Sequence, residues 1–562
     1  MDTKKRTTLW IALAISLFLL WDNWQVYRGG TSIFLRRGVE AAKQAEKSAL
    51  AVPVQVDEVP RGSGTLPSSA SMGSKPATPR TVKAELVTVT TDLVSAQIST
   101  EGGVFRRLEL LQHRDNEDGD KHMLLFQADK DLTYLAQTGL YGGAYPNHVT
   151  HFTVRPGPRT LGDADKLTLV MEAEQGGVRL VKTYTFHRNE YTVGIRQDVT
   201  NLTGESISPS LYFQLVRDES KPAGQSRFIS TFTGPAVYSE SEKFQKLKFD
   251  NIAEGKADFV TQADNGWVGM VQHYFVAAFI PQDKIVRDNF AKKLNDKLFA
   301  FGSIVPLGSV APRATVTNET LLFAGPQESA RLAKVAPGLE LVKDYSWLTI
   351  VAKPIFSLMS FIYKEVGNWG WTIILLTLII KVAFIPLSEA SYRNMARMKQ
   401  YMPKIKEMKD LYKDDKERLN KEMRAFYKAE KINPVGGCLP VVIQIPVFIA
   451  LYYVLLASIE IRNAPWIGWI HDLATPDPYF ILPALMAASM FLQQKMNPPP
   501  PDPVQAKMMM AMPIAFSISF FFFPSGLVLY WIVNNVLSIL QQWWVALRYE
   551  RGLRKHKPVK AG

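Results

Sequence analysis

The chain has 562 residues, a formal net charge of +13 and a mean hydropathy of −0.03. That length exceeds one compact domain, and a single cysteine, Cys438, excludes an intrachain disulfide. No nucleic-acid motif accompanies the basic excess, so cytoplasmic loops of a membrane protein are its first explanation and sequence-specific nucleic-acid binding is not expected.

The opening "KKRTTLWIALAISLFLLWDNW" sets Lys4, Lys5 and Arg6 before an apolar stretch from Leu9 to Trp21. A cleavable signal peptide and an uncleaved anchor both fit such a segment. No small-x-small cleavage pattern follows, and Trp21, Asp22, Asn23 and Trp24 suit an interfacial belt. Both features favour a transmembrane anchor over 1–28 with its N-terminus in the cytoplasm. Residues 29–84 turn to Ala, Ser, Pro, Gly and Thr, as in "RGSGTLPSSASMGSKPATP", a composition for a flexible tether.

From 85 to 338 the pattern has period two. "ELVTVTTDLVSAQIST", "RLVKTYTFHRNEYTVGIRQDVTN" and "SPSLYFQLVR" suit half-buried strands and predict an all-β sandwich. Its histidines, among them His122, His151 and His187, lack metal-ligand spacing, and no metal or cofactor is expected. Residues 339–364 contain "LELVKDYSWLTIVAKPIFSLMSFIY", apolar on one side and carrying Lys343, Asp344 and Lys353. An amphipathic helix on the outer membrane surface fits better than a span, because Pro354 and the lysines disfavour crossing.

Five further spans are predicted at 367–387, 436–457, 479–495, 508–524 and 526–547, within a helical core covering 365–547. With the first segment they make six and put both termini on one side. The loop at 388–434 carries Arg393, Arg397, Lys399, Lys404, Lys406, Lys409 and Lys413, and the tail at 548–562 is also basic. The loop at 458–478 sets Arg462 against Glu460, Asp472 and Asp477. This asymmetry places the termini and the 388–434 loop in the cytoplasm. Two spans, 479–495 and 508–524, hold about 16 residues each, so they reach only ~24–26 Å against a ~30 Å hydrocarbon core and should thin the bilayer beside them.

Lys381 interrupts the apolar run "TIILLTLIIKVAFIPLSE", roughly 9 Å inside its boundary. An ammonium there costs about 2.5–3.5 kcal/mol on insertion scales. No Asp or Glu lies inside the five C-terminal spans, so Lys381 must snorkel, lose its proton or face water. Thr377 one turn earlier, Gln444 in the next span, Asn534 and Asn535 in the last, and Ser517 and Ser519 before it could be ordinary glue between helices. Together with an unpaired lysine they suit a hydrated groove open to the cytoplasm. The 388–434 loop reads as a helical hairpin, with Met395, Met398, Met402, Ile405, Met408 and Tyr412 at three- and four-residue steps, answered by Leu419, Met423 and Phe426. Methionine stripes pack helices together or form adaptable surfaces for varied apolar ligands.

In "GNWGWTIILLTLIIK", "YKAEKINPVGGCLPVVIQIPVFIALYYVL", "PWIGWIHDL" and "FPSGLVLYWIVNN" the chain resembles the YidC/Oxa/Alb family of membrane protein insertases, in its bacterial form with a large periplasmic domain. The stretch "ISTEGGVFRRLEL" fits more weakly. The resemblance implies a polytopic α-helical protein of the Gram-negative inner membrane, with six transmembrane helices, a five-helix core around a hydrophilic groove, and a periplasmic β-supersandwich. It implies an insertase and chaperone rather than an enzyme. The partners implied are nascent membrane-protein chains, the Sec translocon, the lipid bilayer, and the ribosome through the basic tail and cytoplasmic loops. Lys381 stands where the family usually has a groove arginine, Thr377 and Gln444 match its threonine and glutamine, and Trp531 replaces a frequent tyrosine beside Tyr530. Asn534 completes this substrate-contacting set. Ile445, Phe448, Met508 and Met512 are candidates for an apolar slide along which substrate helices enter lipid. Two other readings stay open: a secondary transporter using Lys381, and a tethered carbohydrate-binding or carbohydrate-processing β-domain.

Overall fold

The computed structural model describes residues 84–562 except 116–119, 130–131, 221, 223–230, 344, 346–347, 413–414, 431–438, 498–507, 509, 512–515 and 556–562. The expected anchor and nearly all of the expected tether, together with Cys438 and Met512, lie outside the described residues.

Alternation decides the first half. Along Val178–His187, Val178, Leu180, Lys182, Tyr184 and Phe186 are buried, and Thr192–Asn201 pairs with this strand in register, Phe186 opposite Val193. Eighteen described strands between Leu86 and Pro326 form two nine-stranded antiparallel sheets. One sheet gathers the first five strands with the tenth, thirteenth, sixteenth and seventeenth; the other takes the rest. A single apolar core draws on both. Phe213 meets Phe279 across the sandwich with ring centroids 5.3 Å apart, and Phe105 meets Tyr184 edge-on at 5.4 Å. These are geometries that aromatic quadrupoles favour.

One inward position carries a charge that the sequence analysis did not single out. Lys182 is fully buried, and its Nζ donates to the carbonyls of Gly102 and Thr138, each at 2.7 Å. Burial pushes its pKa down to about 7. Gly102 has φ +73°, and a Cβ there would sit 2.1 Å from the His148 carbonyl oxygen. Only glycine fits this turn. The next carbonyl, of Gly103, accepts from the Tyr184 hydroxyl. The "EGG" of the weaker motif is therefore the corner that satisfies two buried polar side chains.

Helices α1 (Phe249–Ala253) and α2 (Ser329–Val335) are short and belong to the β-domain. The expected continuous helix over 339–364 is instead two elements. Leu339–Val342 is a 3-10 turn whose Leu339 and Val342 join the sandwich core, and α3 runs Thr349–Val366. Helix α3 buries an apolar face, Ala352, Phe356, Met359 and Ile362, and exposes Lys353, Ser357 and Lys364 together with two apolar side chains, Ile350 and Phe361.

The helical region continues as α4 (Trp369–Ala383), α5 (Ile385–Leu411), α6 (Lys416–Ala429), α7 (Leu439–Ala457), α8 (Ile481–Met496) and α9 (Ser525–Lys555). The segment 367–387 is not one straight span. It breaks at Phe384, and α5 leaves at 68° to α4. Pro386, in the first turn of α5, cannot supply the amide that would carry α4 onward. Among the described residues no single helix is long and apolar enough to cross a membrane; this bent pair is, by length and composition. Near 520 the chain tightens into a 3-10 turn, Phe520–Phe522. Helix α9 passes the expected limit at 547 and stays helical to Lys555.

A polar seam joins sandwich and helices. The His273 Nε2 donates to the Leu456 carbonyl at 2.9 Å, and the Arg462 guanidinium donates to the Arg114 carbonyl at 2.6 Å. Ile459 belongs to the sandwich core, and Lys343 pairs with Glu460 at 2.8 Å while lying 3.7 Å over the Phe356 ring.

Candidate functional site

Helix α4 starts where Asn368 caps it, its side chain accepting from the Gly370 and Trp371 amides. Gly370 packs directly under Trp466; a Cβ would lie 2.1 Å from that ring. The fixed start sets the azimuth of Thr377 and Lys381, one turn apart on the same face. At the far side, the Ser525 and Gly526 amides donate to the Thr475 and Leu473 carbonyls, which pins the beginning of α9.

On α9, Tyr530, Asn534 and Ser538 recur every four residues and form a polar stripe. Gln444 on α7 donates from Nε2 to the Tyr530 hydroxyl at 3.3 Å and to the Asn534 side-chain oxygen. The Lys381 Nζ donates to the Ser538 hydroxyl at 2.7 Å, and Ser538 donates to the Asn534 carbonyl at 2.7 Å. Lys381, Gln444, Tyr530 and Asn534 are thus brought together across three helices. Among the described residues Lys381 joins no ion pair, and its ammonium has one hydrogen-bond acceptor.

Thr377 lies beside this group but is turned inward: it is buried, and its hydroxyl donates to the Ile373 carbonyl of its own helix. Trp531 faces an aromatic cluster, edge-on to Phe448 at 4.6 Å, with Phe520 at 5.4 Å and Phe516 at 5.9 Å. Ile445 and Met508 are about half exposed, and Phe448 is partly buried. Met395, Met398, Met402 and Met408 are partly buried along α5. On this helix Tyr401 bonds Glu430 at 2.7 Å and stands edge-on to Phe426 of α6.

Several polar residues escaped the sequence analysis. Ser538 was recoverable by continuing the four-residue step from Tyr530 and Asn534. Gln542 bonds Asn497 at 3.2 Å and, with the Asn535–Ser489 bond at 3.0 Å, forms a second polar row between α9 and α8. A cavity of about 750 Å³ lies away from this site, in the β-domain between His187, Thr192, Leu321 and α2. The Arg331 at its wall already donates to Glu328 and to the Asn189 carbonyl. No group of His, Cys, Asp or Glu among the described residues is arranged to hold a metal.

The family model for the YidC periplasmic domain matches 86–358, and that for the 60Kd inner membrane protein matches 361–552. The membrane protein insertase YidC of Janthinobacterium sp. (strain Marseille) is 55% identical over 560 residues, covering 96% of this chain and 98% of the relative. The chain belongs to the YidC family of membrane protein insertases. The YidC of Herminiimonas arsenicoxydans is 52% identical, with 96% and 98% covered. A crystal structure of an active YidC insertase with its first transmembrane domain resolved overlaps at a TM-score of 0.39 and 17% identity, covering 82% of this chain and 92% of that one. As in YidC proteins generally, an all-β periplasmic domain precedes a helical region, and the protein resides in the inner membrane.

Proposed function

We propose that this insertase admits nascent membrane proteins through a groove between α4, α7 and α9, in which Lys381 supplies the positive charge. The observation that carries the reading is the lysine–serine–asparagine–glutamine set spanning those three helices, with no carboxylate among the described residues paired to the lysine. An ammonium has three donors, and one is used within the described residues. The remaining two suit an acidic, hydrophilic segment of an incoming chain. Apolar helices of the substrate then pass into lipid along Ile445, Phe448, Met508 and Met512. Transferring roughly 20 apolar residues into the bilayer supplies tens of kcal/mol.

The topology that fits this action has six spans, both termini in the cytoplasm and the β-domain in the periplasm. Basic residues of the hairpin and tail support it. They would also receive a ribosome, and the Sec translocon would act as partner for larger substrates. Cation-coupled transport would call for an intramembrane carboxylate beside Lys381, and the homology favours insertion instead.

The test is insertion of a small Sec-independent substrate with an acidic N-terminal segment. Lys381→Ala should lower insertion about tenfold, the scale of one interaction with a charged group, and Lys381→Glu should lower it further. Insertion at the wild-type level with both variants would reject the role.

A further inference from the structure

We infer that Ser538 is the positioning residue that holds the Lys381 ammonium in the groove and thereby sets the preference for acidic substrate segments. This rests on the insertase reading above. A lysine on an apolar helix has a long flexible stem, and its least costly course is to swing its charge to the nearest water. In this protein the ammonium instead reaches across to α9, where the Ser538 hydroxyl accepts at 2.7 Å.

The acceptor is itself fixed. Ser538 is 2% exposed and gives its own proton to the Asn534 carbonyl, so its lone pairs are turned away from α9. A bond to the carbonyl four residues back is common for an intrahelical serine. What distinguishes Ser538 is that its hydroxyl also takes a bond from outside its own helix, from Lys381 of α4. Helices α4 and α9 therefore meet at one oxygen beside the α4–α5 bend.

The residue at 381 gives this arrangement its weight. A guanidinium carries a rigid fork with five donors and can draw on several acceptors at once. An ammonium is a point charge, and here its location depends on a single hydroxyl. Ser538 thus decides whether the two remaining ammonium protons face the groove or leave it.

The experiment uses the full-length protein in proteoliposomes and two substrates: a Sec-independent one with an acidic N-terminal segment, and the same one with that segment neutralised. Ser538→Ala should cut insertion of the acidic substrate about tenfold, the scale of one hydrogen bond to a charged group, with a distinctly smaller loss for the neutral one. Ser538→Thr should restore it, and in the Lys381→Arg background Ser538→Ala should cost much less. Equal losses for both substrates, or in both backgrounds, would show Ser538 to be helix packing and overturn the inference. Lys381→Ala separates the two levels. If that variant loses insertion while Ser538→Ala keeps it, only the positioning role fails; if it keeps insertion, the groove reading fails with it.

Discussion

Lys381 and Lys182 are both withdrawn from bulk water, and their partners decide what each can do. Lys182 is enclosed by two fixed carbonyls and an aromatic ring, an arrangement that locks a corner of the sandwich. Among the described residues Lys381 meets one hydroxyl and keeps donors to spare. Two sandwich histidines, His273 of the seam and His113, which stands edge-on to Phe275, are a third kind of withdrawn base. Burial, reinforced by the Arg462 charge, pushes the pKa of His113 from 6.5 to about 4, and burial does the same to His273 despite its bond to the Leu456 carbonyl. Between those values the unfolded chain binds more protons than the native one, so stability rises with pH across this window and falls as acid is added. Thermal unfolding of the full chain in detergent should show this slope between about pH 4 and 6.5, and His273→Asn should flatten it. Lys381 was legible because it interrupts an apolar run. Lys182 was legible only by parity, since it shares the inward register of Leu180 and Tyr184 in a strand whose polar residues looked solvent-facing.

At the level of elements, the alternating strands and the amphipathic α3 followed from periodicity, whereas breaks between helices did not. Phe384 ends α4 inside an apolar run that continues to Leu387, because hydropathy does not register the amide that Pro386 lacks. Helix α9 outran its expected limit for the opposite reason: hydropathy falls after Ala546, but no residue there stops a helix before Lys555. The candidate site was only partly legible, since its pairings join α4, α7 and α9 across long sequence separations. The junction between the 3-10 turn at 339–342 and α3 rests on the Lys343–Glu460 pair, with the Lys343 side chain 1% exposed. Removing one partner strands a buried charge. Glu460→Ala should therefore cost about 3 kcal/mol in thermal or denaturant unfolding, and Lys343→Met combined with Glu460→Leu should recover most of it.

Across the whole molecule, two apolar cores, one in the sandwich and one among the helices, meet along the 456–472 segment. Resemblance and composition announced both bodies; the seam between them was not legible, because it is made of isolated side chains with no repeating pattern. The separation of labour makes a definite prediction. Deleting residues 90–320 should leave insertion of a small substrate largely intact, since none of the described residues of the proposed groove comes from the sandwich. The same deletion removes His273 and Arg114, so 456–472 should become markedly more sensitive to protease. Loss of all insertion would show that the sandwich takes part in the activity.

Ile459 lends its side chain to the interior of the other body. In the orientation proposed above, this fastens the bundle at its outer end as a pivot fastens a pair of tongs. Any widening for a passing polypeptide would then fall to the inner ends of the helices.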